Sequence, residues 1–376
     1  MDFSLSSEQE AVRDLARKIF SERCSDERTQ QLERSGEWYD SELWAELVKT
    51  NLAGLALPED VGGSGFGMLE LALVLQETGR YLAPVPLFAS QVLGGLPLAR
   101  FGNEAQRRRW LVPAAAEGVV LSAALVEAGS ADPSRPRVTA RRDGAGWRLD
   151  GIKECVPAGT LAALLLVPAQ TPDGVGVFLV EAGGPGVRLE PQRATNREPQ
   201  ARLELAGAQV AADAVLGDPR GGAEIVEWLL DHALVGLCAI QLGVAEEALR
   251  RTAEYTRTRK QFGRPIASFQ GVTLRAADAY IDLEAMRATL QQAAWRVAAG
   301  LPASAEVAAA KWWACRGGQR VVHTAQHLHG GIGADVDYPI HRFFLWSKQL
   351  DVTLGGASRQ LARLGAMLVD APRGEA

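Results

Sequence analysis

The residues best suited to chemistry lie in two short segments of the C-terminal half of the chain. One reads Arg-Thr-Arg-Lys-Gln-Phe-Gly-Arg-Pro-Ile-Ala-Ser-Phe-Gln over residues 257–270, and the other reads His-Leu-His-Gly-Gly-Ile-Gly over residues 327–333. The guanidinium of Arg259 can hold a pyrophosphate by two parallel charge-assisted hydrogen bonds. The bare backbone at Gly330 and Gly331 lets a phosphate or ribose approach closely. A double glycine alone is more often a plain turn, but the two segments together predict half of a dinucleotide site.

The composition excludes several classes of protein. The 376 residues are 47% hydrophobic, which is ample for a buried core and indicates two or three structural units. A net charge of -5 argues against a nucleic-acid surface, because phosphate binding needs a concentrated basic face. The four cysteines, at positions 24, 155, 238 and 315, lack the spacing of a metal or redox site. A reducing, cytoplasmic compartment is therefore expected.

Neither a targeting signal nor a membrane segment is evident in the sequence. The N-terminus, Met-Asp-Phe-Ser-Leu-Ser-Ser-Glu, lacks a basic region followed by an apolar run. No stretch approaches the roughly 18 apolar residues that a membrane span needs. We therefore expect an unexported protein without a membrane partner.

The residue pattern changes twice along the chain and predicts three domains. Residues 1–118 are helical in pattern, with Ser6 or Ser7 as a helix N-cap, a loop over 58–67 and a further helix over 70–82. Residues 119–217 carry short β-type runs separated by turn residues, which predicts a small antiparallel β domain. Residues 218–376 are helical again. The expected strands cover 138–142, 147–149, 161–167, 175–180 and 203–205.

An apolar stripe in the last part predicts a helix bundle. Apolar side chains recur every seven residues from 276 to 297, and a second set lies between them. Such a stripe is typical of a core seam, and its alanines allow helices to approach closely. Gly300 and Pro302 then end the helix. The two sets are Ala276, Leu283, Leu290 and Val297, and Ala279, Met286 and Ala293.

The order of these signals resembles the acyl-CoA dehydrogenase family over nearly the whole chain. The resemblance rests on Phe-Gly-x-Pro-Ile followed by Phe-Gln, on Gly-Gly-x-Gly after an Ala-rich helix, and on Leu-Trp-Ala-Glu-Leu at 43–47. It implies an α+β, mainly α, fold: an N-terminal helical domain, a middle antiparallel β domain and a C-terminal four-helix bundle. It also implies FAD as the cofactor, an acyl-CoA substrate and an electron-transfer flavoprotein as the acceptor.

The resemblance also assigns a set of residues to the cofactor. In the family, the matching positions reach across a subunit interface to the dinucleotide of a neighbouring chain. A histidine stands at 327 where the family usually has a glutamine, and it can still donate one hydrogen bond. The residues carried over are Arg259, Phe262, Phe269, Gln270, His327, Gly330 and Gly331.

The family's catalytic base has no counterpart at either of its usual positions. Removing the proton next to a thioester carbonyl requires a carboxylate within hydrogen-bond distance. Counting from Tyr338 and Pro339 along the family's spacing reaches Leu354, which cannot accept a proton. The other family position, counted back from Phe262, falls at residues 233–234, which are Ala and Leu. Asp231 is a weak candidate two residues away, and His232 lies one residue away, so no catalytic residue is assigned.

The middle domain departs from the family where it should hold the flavin ring. The family's Thr-Glu-Pro followed by Gly-Ser-Asp becomes Val126-Glu-Ala-Gly-Ser-Ala-Asp here, which removes the threonine hydroxyl. Cys155 stands where the family has an aromatic residue packed on the flavin. Pro157 replaces a hydroxyl residue and has no N–H. This side of the flavin pocket therefore lacks the hydroxyl and aromatic groups that the family uses to hold the flavin ring.

The C-terminal half keeps the family's cofactor residues, whereas the middle domain and the base positions do not. This difference predicts that two different chains together form the site. The first hypothesis is the subunit without the base in a heterotetrameric (α2β2), FAD-dependent acyl-CoA dehydrogenase that desaturates a bulky, steroid-type CoA thioester. It matches family members that oxidise steroid side chains, through Leu-Ala-Pro-Val-Pro-Leu at 82–87 and the segment beginning at His327. The second is a self-sufficient homo-oligomer with Asp231 as a relocated base. The third is a flavin-free structural paralogue.

Overall fold

The computed structural model describes residues 3–36, 38–130 and 132–370. Six helices precede the strands, and two short 3-10 turns and a π-helical segment (Phe88–Gly95) lie among them. The first helix begins after Ser6, whose hydroxyl accepts a hydrogen bond from the Gln9 backbone N–H in a capping box, so Ser6 is the N-cap. The helices are α1 (Ser7–Arg23), α2 (Asp26–Ser35), α3 (Ser41–Lys49), α4 (Met68–Arg80), α5 (Leu96–Phe101) and α6 (Glu104–Glu117).

A seven-stranded sheet follows the six helices. Its order is β1-β4-β2-β3-β7-β6, and β5 pairs with β4. Most pairs are antiparallel, as the turns at 143–144 and 172–174 predict, whereas β1 and β2 lie parallel to β4. The strands are β1 (Leu121–Ala123), β2 (Thr139–Asp143), β3 (Gly146–Pro157), β4 (Leu164–Thr171), β5 (Gly174–Glu181), β6 (Val187–Arg193) and β7 (Pro199–Val210).

Helices resume at Gly222 and continue to the end of the described chain. A small hairpin of β8 (Lys260–Gln261) and β9 (Arg264–Pro265) separates the first two. The predicted seam is confirmed in the middle of α8, where residues 279, 283, 286, 290 and 293 are buried, while 276 and 297 at its ends are half-buried. The helices are α7 (Gly222–Thr258), α8 (Gln270–Ala298), α9 (Ser304–His329), α10 (Ile340–Val352) and α11 (Ala357–Asp370).

The chain forms two compact units. One combines the chain up to Arg34, Met68–Ala83 and the chain from Leu234 onward, which we call the helical unit. The other combines Ser35–Gly67 with Pro84–Ala233 and contains the whole sheet, so we call it the sheet unit. The division of the chain at residues 118 and 217 stays a prediction.

Helix α7 corrects the expectation that no segment is apolar enough to cross a membrane. It contains an 18-residue window with a mean hydropathy of 1.5, and 83% of that window is buried inside the protein. Burial of this extent is the property of a core helix, because the apolar side chains already contact protein rather than lipid. The apolar run therefore reflects the position of α7 in the core.

Candidate functional site

Arg259 lies just past the C-terminal end of α7, in the helical unit. Its backbone N–H donates to the Tyr255 carbonyl at 2.8 Å, and its carbonyl accepts from the Ile266 N–H at 2.8 Å, which closes the base of the β8–β9 hairpin. The side chain is exposed. Within the described residues its guanidinium makes no hydrogen bond or ion pair, so all its donors remain available to a ligand.

The hairpin tip presents an aromatic ring to solvent. Phe262 has φ 52° and is 91% exposed, which is unusual for a large apolar side chain. Its ring meets Phe269 edge to face at 6.1 Å, and the guanidinium of Arg264 lies 4.2 Å from the Phe269 ring. Gln270 opens α8 and is exposed. The predicted aromatic and amide groups are therefore held in place but are not covered by this chain.

The glycine segment spans the C-terminal end of α9 and the 3-10 turn Gly330–Ala334 that follows it. His327 and both glycines are exposed, and Gly330 has φ 66°, a conformation that favours glycine. A Cβ at Gly330 or Gly331 would meet no atom within 4 Å, so this turn is open to a ligand. Beneath it, the Gln326 side-chain oxygen and the His329 Nε2 are buried without a hydrogen-bond partner in the described chain.

A stacked ring pair brings the two predicted segments to the same end of the helical unit. The Tyr255 and His329 rings lie 4.4 Å apart at 20°. Tyr255 is one helical turn before Arg259, and His329 directly precedes Gly330. The His329 Nδ1 lies 2.8 Å from the Ala325 carbonyl, which fixes the ring orientation. The structure therefore places the hairpin and the glycine turn close together.

The arrangement fits part of a dinucleotide. An unpaired guanidinium such as that of Arg259 suits a pyrophosphate, the group that joins the two halves of FAD. Arg259, His327 and Gly330 are exposed, so this chain by itself leaves them uncovered.

Both expected base positions are apolar in the structure. Leu354 is half-buried with φ 54°, and the Gln360 side-chain nitrogen donates to its carbonyl at 3.4 Å and to the Gly355 carbonyl at 3.1 Å. Ala233 and Leu234 lie inside α7 and are fully buried. None of these three side chains can accept a proton.

His232 is a packing residue in α7 rather than a base. Its ring stacks on Trp228 with centroids 3.6 Å apart, and its Nδ1 lies 2.8 Å from the Trp228 carbonyl. Burial lowers the pKa of His232 to about 4, against the opposing effects of the Trp228 carbonyl and Asp231. The imidazole is therefore neutral at pH 7. Asp231, the weak candidate, is half-buried in the same turn.

We expect His232 to make the protein sensitive to mild acid. The pKa of His232 is lower in the folded state than in the unfolded state. Its contribution to the free energy of unfolding is therefore complete above the unfolded pKa near 6.5 and is lost as the pH falls toward 4. The loss at pH 5 should be about 2 kcal/mol. Denaturant unfolding at pH 7 and pH 5 should show this loss in the wild type but not in His232→Phe. Replacing the exposed His323 by Gln is the control, and an equal pH dependence in His232→Phe and the wild type would contradict the assignment.

In the sheet unit, the segment that begins at Val126 is built around a buried ion pair. The Lys153 ammonium donates to the Glu127 carboxylate at 2.6 Å, and the carboxylate also accepts from the N–H groups of Arg137 and Val138 at 2.6 and 3.1 Å. Lys153 is fully buried and Glu127 is 6% exposed. Val126 itself pairs with Glu154 across the sheet. The Glu127 carboxylate is therefore occupied within the protein.

The backbone N–H groups of Cys155, Ala158 and Gly159 are already used within the chain. The Cys155 N–H donates to the Gln192 side chain at 2.8 Å, and the N–H groups of Ala158 and Gly159 donate to backbone carbonyls. Pro157 has no N–H, and its carbonyl accepts from the Ser122 hydroxyl at 2.5 Å. Cys155 is exposed at φ 51° in a bulge between β3 and β7. This segment therefore offers few groups to a flavin ring.

Neither a disulfide nor a candidate metal cluster occurs within the described ranges. No two cysteines are joined there, and no group of three His, Cys, Asp or Glu side chains in those ranges could hold a metal ion. Burial raises the pKa of Cys238 to about 12 and of Cys315 to about 11, so both thiols stay protonated at neutral pH.

Comparison with known proteins identifies close relatives. The family models for the N-terminal and C-terminal domains of acyl-CoA dehydrogenases match residues 6–118 and 220–368. Acyl-CoA dehydrogenase FadE27 of Mycobacterium tuberculosis is 41% identical over 99% of this chain and 100% of its own length. A chain of the ChsE4–ChsE5 complex from the same organism is 42% identical with a TM-score of 0.93, covering 99% of this chain and 100% of that one. A chain of a Tcur3481–Tcur3483 steroid ACAD variant is 44% identical with a TM-score of 0.91, and the match covers 98% of this chain and 99% of that one.

Proposed function

Because this chain belongs to the acyl-CoA dehydrogenase family, we propose that it is the subunit without the base in a heteromeric, FAD-dependent acyl-CoA dehydrogenase. The enzyme would form a double bond next to the thioester carbonyl of a bulky, steroid-type acyl-CoA. The proposal concerns the division of roles between chains, the substrate and the heterotetrameric assembly.

The observation that carries the proposal is a contrast between two groups of residues. Around Arg259 and Gly330, polar and aromatic groups such as the Arg259 guanidinium and the Phe262 ring are exposed, as a site completed by another chain requires. In the segment around Cys155 and Pro157, backbone donors are absent or already used by the chain itself. A subunit that held its own flavin ring would need free donors in the second group.

Both base positions are apolar, which supports the proposal that the partner chain supplies the carboxylate. A protein base must lie within hydrogen-bond reach of the proton that it removes. Leu354 and Ala233 cannot serve, and the buried, neutral His232 is fixed to the Trp228 carbonyl. The flavin would accept the hydride from the β-carbon. This chain would contribute Arg259, Phe262, Phe269, Gln270, His327, Gly330 and Gly331 to positioning the dinucleotide.

The structural relatives support the partner and the substrate. Two of them come from complexes of two named chains, ChsE4–ChsE5 and Tcur3481–Tcur3483, and the second is a steroid ACAD. The electron-transfer flavoprotein is proposed as the acceptor on the family resemblance alone. A cytoplasmic location is proposed in keeping with the lack of a disulfide among the described residues.

The proposal predicts the ratio of flavin to protein. This chain, co-expressed with its homologous partner subunit, should bind about one FAD per pair of unlike chains, because only one complete site is built from each pair. Flavin absorbance gives the cofactor content, and native mass spectrometry gives the subunit ratio. A steroid side-chain acyl-CoA should bleach the flavin faster than butyryl-CoA does.

The chain expressed alone is the matched control. It should contain little flavin and should show no bleaching with either thioester. Stoichiometric FAD and substrate bleaching in the isolated chain would instead establish the self-sufficient enzyme. Absence of flavin from every assembly that contains the chain would establish the structural paralogue.

A further inference from the structure

A pocket in the helical unit lies away from the residues assigned to the flavin. Its volume is about 390 Å³, within the range of small-molecule sites. It is walled by the segment before α1 and by α1, α4, α7 and α8. The lining residues that the argument uses are Arg13, Arg17, Leu73, Arg80, Arg287 and Trp295.

One end of the pocket is a chain of ion pairs. The Arg17 guanidinium donates two hydrogen bonds to the Glu77 carboxylate, at 3.2 and 2.9 Å. The Arg80 guanidinium donates to the same carboxylate at 3.0 Å and to the Glu246 carboxylate at 2.5 Å. Arg287 reaches Glu246 at 3.2 Å from α8. Glu77 is only 1% exposed, so this network is a fixed part of the fold. Two carboxylates are thus shared by three arginines.

The pocket lining carries more positive than negative charge. Arg13 adds a fourth arginine to the wall, and its hydrogen-bond partner among the described residues is the exposed carboxylate of its neighbour Asp14. Arg13 thus pairs with Asp14, and Arg287 with Glu284. These two carboxylates do not line the pocket, and solvent screens their charge. The lining therefore has four arginines against two glutamates, and it favours an anionic group.

Most of the apolar lining of the pocket lies beyond the ion pairs. Along α4, Leu73 lies seven residues before Arg80, which is about 10 Å of helix. Along α8, Trp295 lies eight residues beyond Arg287, or about 12 Å. Arg13 lies between Gln9, which bonds to Glu70, and Arg17, which bonds to Glu77, so it is level with Leu73. The ion-paired arginines thus lie toward one end of the pocket, and Arg13 extends the positive charge along the apolar wall. The remaining apolar lining comes from Phe3, Leu5, Leu69, Ala72, Leu242, Leu290 and Ala294, and the remaining polar lining from Ser4, Gln9, Gln76 and Gln291.

We propose that this pocket binds an amphipathic carboxylate, a free fatty acid or a compound of the same shape. The carboxylate lies at the arginine end, where charge-assisted hydrogen bonds stabilise it, and the hydrocarbon chain lies along Leu73 and Trp295. The proposal does not depend on the flavin assignment, because no residue of the pocket belongs to that site.

Decanoate is the probe that tests this site. Calorimetric titration into the full-length chain, together with any partner subunit that co-purifies, should show saturable binding at about one site per chain. Replacing Arg13 by Glu should weaken binding about tenfold, because a charge-assisted contact becomes a repulsion. Leu73→Asp, at a half-buried position, should weaken it to a similar extent. Arg34→Glu, on an exposed arginine of α2 that does not line the pocket, should leave it unchanged.

The neutral analogue 1-decanol separates the role of the head group from that of the chain. It should bind at least about tenfold more weakly than decanoate, and higher salt should weaken decanoate binding further. Equal binding of the two compounds would overturn the proposal, and so would wild-type affinity in both Arg13→Glu and Leu73→Asp. Circular dichroism melting of each variant shows that a loss of binding is not a loss of folding.

Discussion

Replacing Arg259 by alanine should weaken FAD binding by the assembled heteromer about a hundredfold. A bidentate guanidinium contact with a pyrophosphate contributes about 2–3 kcal/mol, because both partners are charged and the fork geometry matches. The Arg259 guanidinium makes no ion pair within the described residues, so its charge is fully available to the pyrophosphate. Fluorescence of released flavin on dilution measures the dissociation constant.

Arg257 provides the matched control for this experiment. It is an exposed arginine two residues earlier, in the last turn of α7. Arg257→Ala should keep the flavin, and neither variant should change the melting temperature of the isolated chain by more than a degree or two, because exposed side chains contribute little to stability. Equal flavin affinity in the two variants would contradict the assignment of Arg259.

Replacing Lys153 by methionine should destabilise the protein by about 3–5 kcal/mol. The substitution removes the cation and leaves the Glu127 carboxylate buried without its partner, which costs far more than losing an exposed pair. Unfolding in guanidinium chloride measures the change in the free energy of unfolding. Lys18→Met, on the exposed face of α1, is the control and should lie within about 0.5 kcal/mol of the wild type.

A double variant isolates the cost of the unpaired charge. Glu127→Gln added to Lys153→Met restores neutrality, and the amide oxygen can still accept from one of the Arg137 and Val138 N–H groups, which bond to different oxygens of the carboxylate. The double variant should therefore recover part of the lost stability. If it were no more stable than Lys153→Met alone, the unpaired carboxylate would not be the cause.

The same pair makes a second pH-dependent contribution to stability. Burial alone would raise the pKa of Glu127, but Lys153 and the two backbone donors outweigh it, so the pKa is lowered. A lowered carboxyl pKa stabilises the fold above the unfolded value near 4.3, and this contribution is lost as the pH falls through the folded pKa. Lys153→Met should abolish it.

The sequence determined the local elements wherever a strong local signal exists. Ser6 caps α1 because its hydroxyl reaches the Gln9 N–H, and the apolar spacing from 279 to 293 places one face of α8 in the core. The turns at 143–144 and 172–174 join paired strands as predicted. The family resemblance rests on residue types in a fixed order, which is also local information.

Other elements carry no local signal strong enough to predict them. Strand β6 reads Val-Arg-Leu-Glu-Pro-Gln-Arg and lies at the edge of the sheet, so one face stays polar and a proline is tolerated. Strand β1 has only three residues. The hairpin of β8 and β9 contains no β-branched residue, and it forms because Phe262 and Gly263 both adopt positive φ at the turn.

For the candidate site, the sequence determined which residues are present, and the tertiary structure decided which of them are free to bind. Arg259 and Lys153 are both cations, yet one has all its donors exposed and the other is buried against Glu127. The stacking of Tyr255 on His329 joins segments about seventy residues apart in the chain. Burial and pairing depend on contacts between distant segments, and local residue patterns do not encode them.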